Sequence, residues 1–262
     1  MNKSKKFFCS IQQNMSLNKI SEDLVVERAL QIIVNDREFS MTMQTPGDER
    51  YLIRGLLHAE GVKHNSFLEY EQTEKENKTI ADVKIICAKE IINNRTLIST
   101  SSCGLCGKTN LDDLFEEIEP VTKDIYLSAI EIQSIYQKIT PQQTLFNITG
   151  GCHAAAAANE QGQILCVFED IGRHNAVDKV IGYLLENNLL EQAVTLTVSG
   201  RISFEIIQKC ARAKIPFLCA ISAPSSLAVE TAEKWGLTLA AFCRHDRATF
   251  YTGLHRIKKD IL

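Results

Sequence analysis

The chain has 262 residues, of which 45% are hydrophobic and 23% are charged, and its formal net charge is −3. This is an ordinary globular composition with room for one large domain or two smaller ones, and its charge does not favour a nucleic-acid binder. The sequence has no apolar run of about 18 residues and no signal-peptide pattern after its first lysines. We therefore expect a cytoplasmic protein whose nine cysteines are mostly free thiols.

The first half of the chain predicts a small α+β domain behind a polar tail. Residues 1–22 are polar and predict a weakly ordered tail. Four strand-like runs follow, at 29–35, 38–45, 67–73 and 79–87. Between the second and third runs, Asp48 is suited to cap a helix that continues to about Ala59. We place this domain at residues 23–120, ending in the glycine-rich loop 97–109.

The second half, residues 121–262, predicts an α/β layer fold with a largely parallel sheet, because β-rich runs alternate with helical patterns. A helix over 124–138 is expected first. The predicted strands are 145–149, 164–168, 195–199, 217–222 and 237–243. The predicted helices between them are 154–159, 175–187, 203–213 and 225–235.

Cys103 and Cys106 form a Cys-x-x-Cys pair within the string CGLCG, in a loop of small and polar residues. The glycines permit a tight turn that leaves both sulfurs accessible, and Lys108 could favour a thiolate. The residues alone leave four interpretations open: half of a zinc site, a thioredoxin-like redox pair, a persulfide-forming sulfur carrier, or a structural pair. Zinc would need further ligands, and a thioredoxin pair normally opens a helix after a strand.

Four loops at predicted strand ends are expected to meet, because the carboxyl ends of parallel strands share one edge of a sheet. They are 150–153, 169–175, 199–203 and 222–226. Arg173 and Arg201 add charge that suits phosphate, and Ser203 offers a hydroxyl at a helix start, where free N–H groups favour anions. These features predict a site for a phosphorylated ligand, against the alternative that each loop is only well capped.

His153 and a segment near the carboxyl terminus are the remaining candidates for ligand contact. His153 lies in TGGCHAA, but Ala155 stands where a zinc deaminase has glutamate, and no later Cys-x-x-Cys follows. A catalytic deaminase is therefore disfavoured, and a packed histidine competes with a ligand-contacting one. In the other segment two arginines beside an aromatic ring could hold a nucleotide, or could form a solvated basic edge. Its residues are Phe242, Cys243, Arg244, His245, Asp246 and Arg247.

Several long strings, in order, resemble the formate dehydrogenase accessory sulfurtransferases, the FdhD family. The resemblance extends from about residue 25 to the carboxyl terminus. The strings are TPGD at 45–48, CGLCG at 103–107, TGGCHAA at 149–155, EDIGRHNAVDKVIG at 169–182, GRISFEIIQKCARAKIP at 200–216 and APSSLAVETAEKWGLTL at 223–239.

The resemblance implies a protein that takes sulfur from a cysteine desulfurase and passes it to the molybdenum or tungsten bis-guanine-dinucleotide cofactor of formate dehydrogenase. It implies that Cys103 and Cys106 are the sulfur-carrying pair and that residues 242–247 bind the cofactor. It also implies a homodimer and a cytidine-deaminase-like α/β domain with no metal of its own. A cofactor chaperone without thiol chemistry and a zinc-dependent hydrolase are the alternatives. Residues 27–36 and Cys152 depart from the family pattern, and Cys152 could add a third thiol.

Overall fold

The computed structural model of the chain describes residues 2–13, 16–62, 67–86, 118–244 and 247–258. Within these ranges the strands form three sheets, of two, four and six strands. No helix in the same ranges is long and apolar enough to cross a membrane. The predicted loop 97–109, with Cys103 and Cys106, lies outside the described residues, as do His245 and Asp246.

An antiparallel hairpin stands at the amino terminus, where we predicted a weakly ordered tail over 1–22. Its strands are β1 (Ser4–Gln13) and β2 (Ser16–Val25), which pair along their whole length. The prediction of a tail was wrong because it weighed the polar composition of the segment and overlooked its period of two. Phe7, Cys9 and Ile11 recur at every second position, and in a strand such residues lie on one face.

The small α+β domain consists of a four-stranded sheet and one helix. Its elements are β3 (Arg28–Val34), β4 (Arg37–Gln44), α1 (Glu49–Ala59), β5 (Phe67–Glu74) and β6 (Lys78–Ile85). The strand order is β4-β3-β6-β5, and β3 runs parallel to β6. Alternate strand residues and the apolar face of α1 form its core, among them Leu30, Ile32, Leu52, Ile53, Ala81 and Val83.

All five of these elements were predicted, but the expected cap of α1 was wrong. Asp48 precedes the helix in a left-handed conformation, and its side chain makes no capping hydrogen bond. It accepts instead from Lys3 Nζ at 2.8 Å. The carboxylate of Glu49, the first residue of α1, accepts from the backbone N–H of Gly47 at 2.7 Å. A residue of the helix itself therefore stabilises the turn that precedes it.

The second domain is built on a six-stranded sheet of order β12-β11-β10-β9-β7-β8. Its strands are β7 (His153–Ala158), β8 (Ile164–Asp170), β9 (Thr195–Val198), β10 (Phe217–Ala220), β11 (Thr238–Arg244) and β12 (Arg247–Phe250). Only the pairs β9–β10 and β10–β11 are parallel, and the other three pairs are antiparallel. The prediction of a largely parallel sheet was therefore wrong, and the domain is mixed α/β.

Helices cover both faces of this sheet. They are α2 (Ala129–Ile139), α3 (Thr144–Thr149), α4 (Arg173–Glu186), α5 (Phe204–Arg212) and α6 (Ser226–Lys234). The helices α4, α5 and α6 pack on one face in the main core, while α2 packs on the other. The helix α2 begins at Ala129, later than predicted, because Ser128 and Glu131 form a reciprocal capping box there.

Two predicted elements exchange their type in the structure. Residues 154–159 were predicted as helix from their alanines, yet residues 154–158 belong to β7, whose alanines are almost fully buried between β8 and β9. Burial in the sheet centre overrides the high helix propensity of alanine. Residues 145–149 were predicted as a strand, yet they lie in α3, whose first free N–H groups, those of Leu145 and Phe146, donate to Glu169.

The two domains meet where α1 crosses α4 without side chains between the backbones. A Cβ at Gly55 would lie 2.1 Å from the carbonyl oxygen of Asp178, and one at Gly182 would lie 1.9 Å from that of Tyr51. Real Cβ atoms do not approach so closely, so both positions require glycine for this crossing. The crossing sets the start of α1, and with it the TPGD string, against the end of β8.

Candidate functional site

The candidate site is the edge of the six-stranded sheet at which β8, β9, β10 and β11 end. β7 runs antiparallel to β8 and β9, so its first residue, His153, lies at the same edge, opposite Asp170. The loops 150–153, 169–175, 199–203 and 222–226 therefore share one edge, as predicted. They do so for a partly different reason, since the first of them follows a helix and enters an antiparallel strand.

His153 is held by the loop that follows β9. Its Nδ1 lies 3.3 Å from the hydroxyl oxygen of Ser199, and that oxygen also accepts from the backbone N–H of Ala154 at 3.0 Å. Burial and the nearby positive charge of Arg173 lower the pKa of His153, and Asp170 opposes this. The ring is therefore favoured in its neutral form. A hydroxyl donated from Ser199 to Nδ1 leaves the ring proton on Nε2.

Arg173, the first residue of α4, packs against the same loop. A Cβ at Gly200 would lie 3.4 Å from Cδ of Arg173 and 3.3 Å from Nδ1 of His153, so the glycine allows close approach. The Nε of Arg173 is buried and has no hydrogen-bond partner among the described residues. A guanidinium nitrogen held in this way suits an anion such as a phosphate group. Ser199 and Gly200 were not singled out from the sequence as contact residues.

Ser203 and Arg201 lie on the same loop, but their side chains differ in availability. The Nε2 of His174 lies 3.2 Å from the hydroxyl oxygen of Ser203 and 3.9 Å from a carboxylate oxygen of Glu205. Ser203 makes no side-chain capping hydrogen bond at the start of α5, so its hydroxyl serves the histidine. Arg201 is exposed. The loop is thus fixed by one histidine at each end and presents an arginine between them.

Cys152 is not placed to act as a third reactive thiol. It is only 8% exposed, and its sulfur donates to a carboxylate oxygen of Glu169 at 3.5 Å. Burial, together with the charge of Glu169, raises the pKa of Cys152 to about 12. Since the thiolate is the nucleophile, this cysteine is a structural contact of the loop.

The segment near the carboxyl terminus forms an irregular turn between β11 and β12. The strand bulges between Ala241 and Arg244, and Phe242 takes a left-handed conformation at φ 54°. The guanidinium of Arg247 lies 5.7 Å from the centre of the Phe242 ring. Arg244 and Arg247 are directly opposite and exposed, an unfavourable pairing of like charges that an anion would relieve. Cys243, by contrast, is 2% exposed, so its side chain faces the core.

A buried ion pair stands directly behind this edge, and the sequence analysis missed it. Asp170 and Lys179 lie 2.8 Å apart, and both side chains are fully buried. Asp170 also accepts from the N–H groups of Thr45 and Gly172 and from the amide of Asn175. Lys179 also donates to the carbonyl oxygen of Thr45 at 2.9 Å. The strings TPGD and EDIGRHNAVDKVIG therefore meet through satisfied charges, which anchor the loop that carries Arg173.

The described residues contain no group of three or more His, Cys, Asp or Glu side chains that could hold a metal ion. His153, the histidine considered as a zinc ligand, has its Nδ1 on Ser199. Cys103 and Cys106 fall in the range 87–117, which the description of the structure leaves out.

Fold and site define the class of the molecule: a mixed α/β domain that gathers histidine and arginine side chains at one edge of its sheet, joined to a small α+β domain. The model of the FdhD/NarQ family matches residues 25–258. The chain therefore belongs to the FdhD/NarQ family.

Relatives and a solved structure agree with this assignment. A protein named "Sulfur carrier protein FdhD" from Saccharolobus solfataricus is 41% identical, over 91% of this chain and 92% of its own. One of the same name from Mycolicibacterium paratuberculosis is 40% identical, over 90% and 92%. A crystal structure from Desulfotalea psychrophila, described provisionally as a formate dehydrogenase accessory protein, superposes with a TM-score of 0.80 at 25% identity. The match covers 98% of this chain and 100% of that one.

Proposed function

We propose that this chain is a sulfur carrier with sulfurtransferase activity, required for the maturation of a formate dehydrogenase. Its family membership, with relatives named as sulfur carriers, is the observation that carries the proposal. Cys103 and Cys106 are the residues that accept sulfur, a cysteine desulfurase is the donor, and the molybdenum or tungsten bis-guanine-dinucleotide cofactor is the recipient. The protein works in the cytoplasm as a homodimer, and its α/β domain is of the cytidine-deaminase type.

The proposed transfer needs no oxidant in its first step. A thiolate of Cys103 or Cys106 attacks the outer sulfur of the persulfide on the desulfurase. The sulfur–sulfur bond of the donor breaks as a new one forms on the carrier, and the donor leaves as a thiolate. In delivery, the second cysteine attacks the inner sulfur, which releases hydrosulfide to the cofactor and leaves a disulfide. A cellular dithiol then reduces that disulfide.

The sheet edge is where we propose that the guanine-nucleotide part of the cofactor binds. The Nε of Arg173, which has no hydrogen-bond partner among the described residues, and the facing pair Arg244 and Arg247 supply positive charge for phosphate. The ring of Phe242 offers a flat apolar surface for the base. Arg201, His153, Ser203, His245 and Asp246 complete the proposed contacts, while Cys243 takes part only through its main chain because its side chain is buried.

The sulfur-carrying step is tested by intact-mass measurement after incubation with a desulfurase and cysteine. Cys9 is exposed, so all variants carry Cys9→Ala to remove an unrelated reactive thiol. We expect the parent to gain sulfur, and Cys103→Ala/Cys106→Ala to gain none. Cys152→Ala is the matched control and should gain as much as the parent, because its buried thiol does not ionise readily. Equal loading of the double variant would contradict the proposal.

Two rival functions give different results in the same preparation. A cofactor chaperone without thiol chemistry would support formate dehydrogenase maturation even as Cys103→Ala/Cys106→Ala. A zinc-dependent hydrolase would contain stoichiometric zinc by elemental analysis, and would lose it in that double variant. We expect the double variant to fail in maturation and the parent to be free of zinc.

A further inference from the structure

His153 and Arg173 approach each other at the sheet edge, on either side of Gly200. A Cβ at Gly200 would lie 3.3 Å from Nδ1 and 3.4 Å from Cε1 of His153, and 3.4 Å from Cδ of Arg173. A residue with a side chain would therefore push the ring and the arginine apart. The two side chains lie close enough to contact one small ligand. We call these three residues, together with Ser199, the His–Arg site.

The start of α4 carries positive charge where a helix normally carries negative charge. Its first residue is Arg173, its first turn contains no acidic residue, and its N-cap, Gly172, has no side chain. The free N–H groups at this end of a helix are partially positive, so a basic residue is unfavourable there unless an anion is near. The buried Nε of Arg173, which has no partner among the described residues, independently indicates an anion.

Ser199 determines which nitrogen of His153 carries the ring proton. Its hydroxyl oxygen accepts from the N–H of Ala154 at 3.0 Å and lies 3.3 Å from Nδ1 of His153. Within the described part of the chain, Nδ1 is the only acceptor for the hydroxyl proton. The hydroxyl therefore donates to Nδ1 of the neutral ring, and the ring proton is on Nε2. That nitrogen has no partner among the described residues and is left to donate to a ligand.

The same hydroxyl can also hold a charged ring. A serine oxygen has two lone pairs, and the N–H of Ala154 occupies one of them. If Nδ1 of His153 gains a proton, the hydroxyl of Ser199 turns and accepts from it, so the ring keeps its hydrogen bond. Ser199 is therefore placed to fix the orientation of His153 in both protonation states.

Other charged and titratable groups adjoin His153 from β8, α4 and the neighbouring loops. They are Cys152, Glu169, Asp170, Arg173 and Arg201. Burial and the charge of Arg173 lower the pKa of His153, and Asp170 opposes them. Asp170 is already held in the buried ion pair. A phosphate group beside Arg173 would offset the charge that disfavours the protonated ring.

We propose that Ser199 is a positioning residue of the nucleotide site, and that His153 takes up a proton when a phosphate group binds between it and Arg173. The proton comes from solvent and adds to Nδ1, which then donates to the hydroxyl of Ser199, while Nε2 donates to a phosphate oxygen. The inference rests on the proposed binding of a guanine nucleotide at this edge. Since the complex holds one proton more than the free protein, its affinity rises as the pH falls.

Calorimetry with guanosine diphosphate measures the proton uptake on the full chain. Titrations in buffers of different ionisation enthalpy, from about pH 5.5 to about pH 7.5, give the number of protons bound with the nucleotide. We expect the parent to bind at least about fivefold more tightly at the lower pH. In His153→Gln, whose amide can still donate, both the uptake by residue 153 and its share of the pH dependence should disappear. His255→Gln, an exposed change, should behave as the parent.

The difference between the parent and His153→Gln isolates the histidine. The terminal phosphate of the nucleotide itself titrates at about pH 6, and it contributes to both titrations. Equal proton uptake in the parent and in His153→Gln would show that the proposal is wrong.

Ser199→Ala and Ser199→Thr test the positioning role. NMR of the ring nitrogens should show the proton of His153 on Nε2 in the parent, and a mixture of tautomers in Ser199→Ala. We expect Ser199→Ala to weaken nucleotide binding at least about threefold, and Ser199→Thr, which keeps the hydroxyl, to restore both the tautomer and the affinity. Circular dichroism checks the fold, and if Ser199→Ala does not fold, the comparison with His153→Gln decides.

The outcomes separate this inference from the proposed function. A parent that binds guanosine diphosphate, with Ser199→Ala matching it in tautomer and affinity, would overturn the positioning role and leave the nucleotide site intact. A parent that does not bind guanosine diphosphate would overturn the nucleotide site as well. The persulfide assay on Cys103 and Cys106 reports separately on sulfur carriage.

Discussion

Two charged clusters stand back to back at the end of β8, and they differ in how their charges are met. In the buried junction, Asp170 and Lys179 are fully enclosed, and both bind Thr45 of the other domain. At the sheet edge, Arg173 has a buried nitrogen without a partner among the described residues, and Arg244 faces Arg247. The charges of the junction are neutralised within the protein, whereas the positive charge of the edge is available to a ligand.

This difference separates two kinds of residue within one short string. Asp170 and Arg173 both belong to EDIGRHNAVDKVIG, yet one joins the domains and the other faces the proposed ligand. If the comparison is correct, substitutions in the junction lower the free energy of unfolding. Substitutions at the edge should leave that free energy unchanged and weaken ligand binding.

Lys179→Met gives the largest expected effect. It leaves Asp170 as a buried carboxylate without its ion-pair partner, and breaking a buried pair in this way costs about 3–5 kcal/mol. Urea unfolding followed by circular dichroism measures the change. Lys3→Met, which breaks the exposed pair with Asp48, is the control and should cost less than about 1 kcal/mol. Equal losses for the two variants would show that the junction is not special.

Gly182→Ala tests the helix crossing that holds the junction closed. Its Cβ would lie 1.9 Å from the carbonyl oxygen of Tyr51, so α1 and α4 must move apart. We expect a loss of about 3 kcal/mol in the free energy of unfolding, as for an overpacked core. Gly150→Ala, where no atom lies within 4 Å but φ is +63°, should cost only about 1 kcal/mol of backbone strain. A Gly182→Ala protein as stable as the parent would contradict the crossing.

His58 makes the contact between the domains sensitive to acid. Burial, reinforced by the charges of Arg212, Arg54 and Lys209, lowers the pKa of His58 from 6.5 to about 4. Below pH 6.5 His58 binds a proton in the unfolded chain but stays neutral in the folded protein. The free energy of unfolding therefore falls as the pH drops towards 4. We expect a loss of about 2 kcal/mol across this window, less than the full shift implies because the side chain is not wholly enclosed.

His58→Gln should flatten this part of the stability curve, measured by urea unfolding at a series of pH values. The exposed His255 provides the control, and His255→Gln should leave the slope as it is. An unchanged slope in His58→Gln would mean that another group governs the acid response.

The sequence predicts best where local pattern and burial agree. All elements of the small domain follow from strand periodicity, a turn and an amphipathic helix. The prediction is wrong at β7, because a run of alanines has high helix propensity and forms a strand here only through its pairing with β8 and β9. This strand accounts for two of the three antiparallel pairs, and the third pair is β11 with β12, a strand that the sequence analysis did not predict.

The site was predictable in position and less so in detail. Loops rich in glycine and serine, together with the arginines, predicted that a site lies at this edge of the sheet. The grouping of the loops does not depend on a parallel sheet, because the antiparallel β7 starts at the edge where its neighbours end. The pairing of Asp170 with Lys179 was hidden, since nothing in the spacing of the two strings shows that they meet across domains.

Arg173→Gln is the smallest expected effect and the most selective. This substitution removes the guanidinium from the sheet edge. We expect the affinity for guanosine diphosphate, measured by calorimetry, to fall at least tenfold. The free energy of unfolding should change by less than about 0.5 kcal/mol. Arg173→Lys should recover only part of the affinity, because an ammonium group cannot reproduce the paired N–H donors of a planar guanidinium. Lys6→Gln, an exposed change on the hairpin, should alter neither quantity. If Arg173→Gln instead lost stability and kept its affinity, Arg173 would belong with Lys179 to the junction, and the separation of the two clusters would fail.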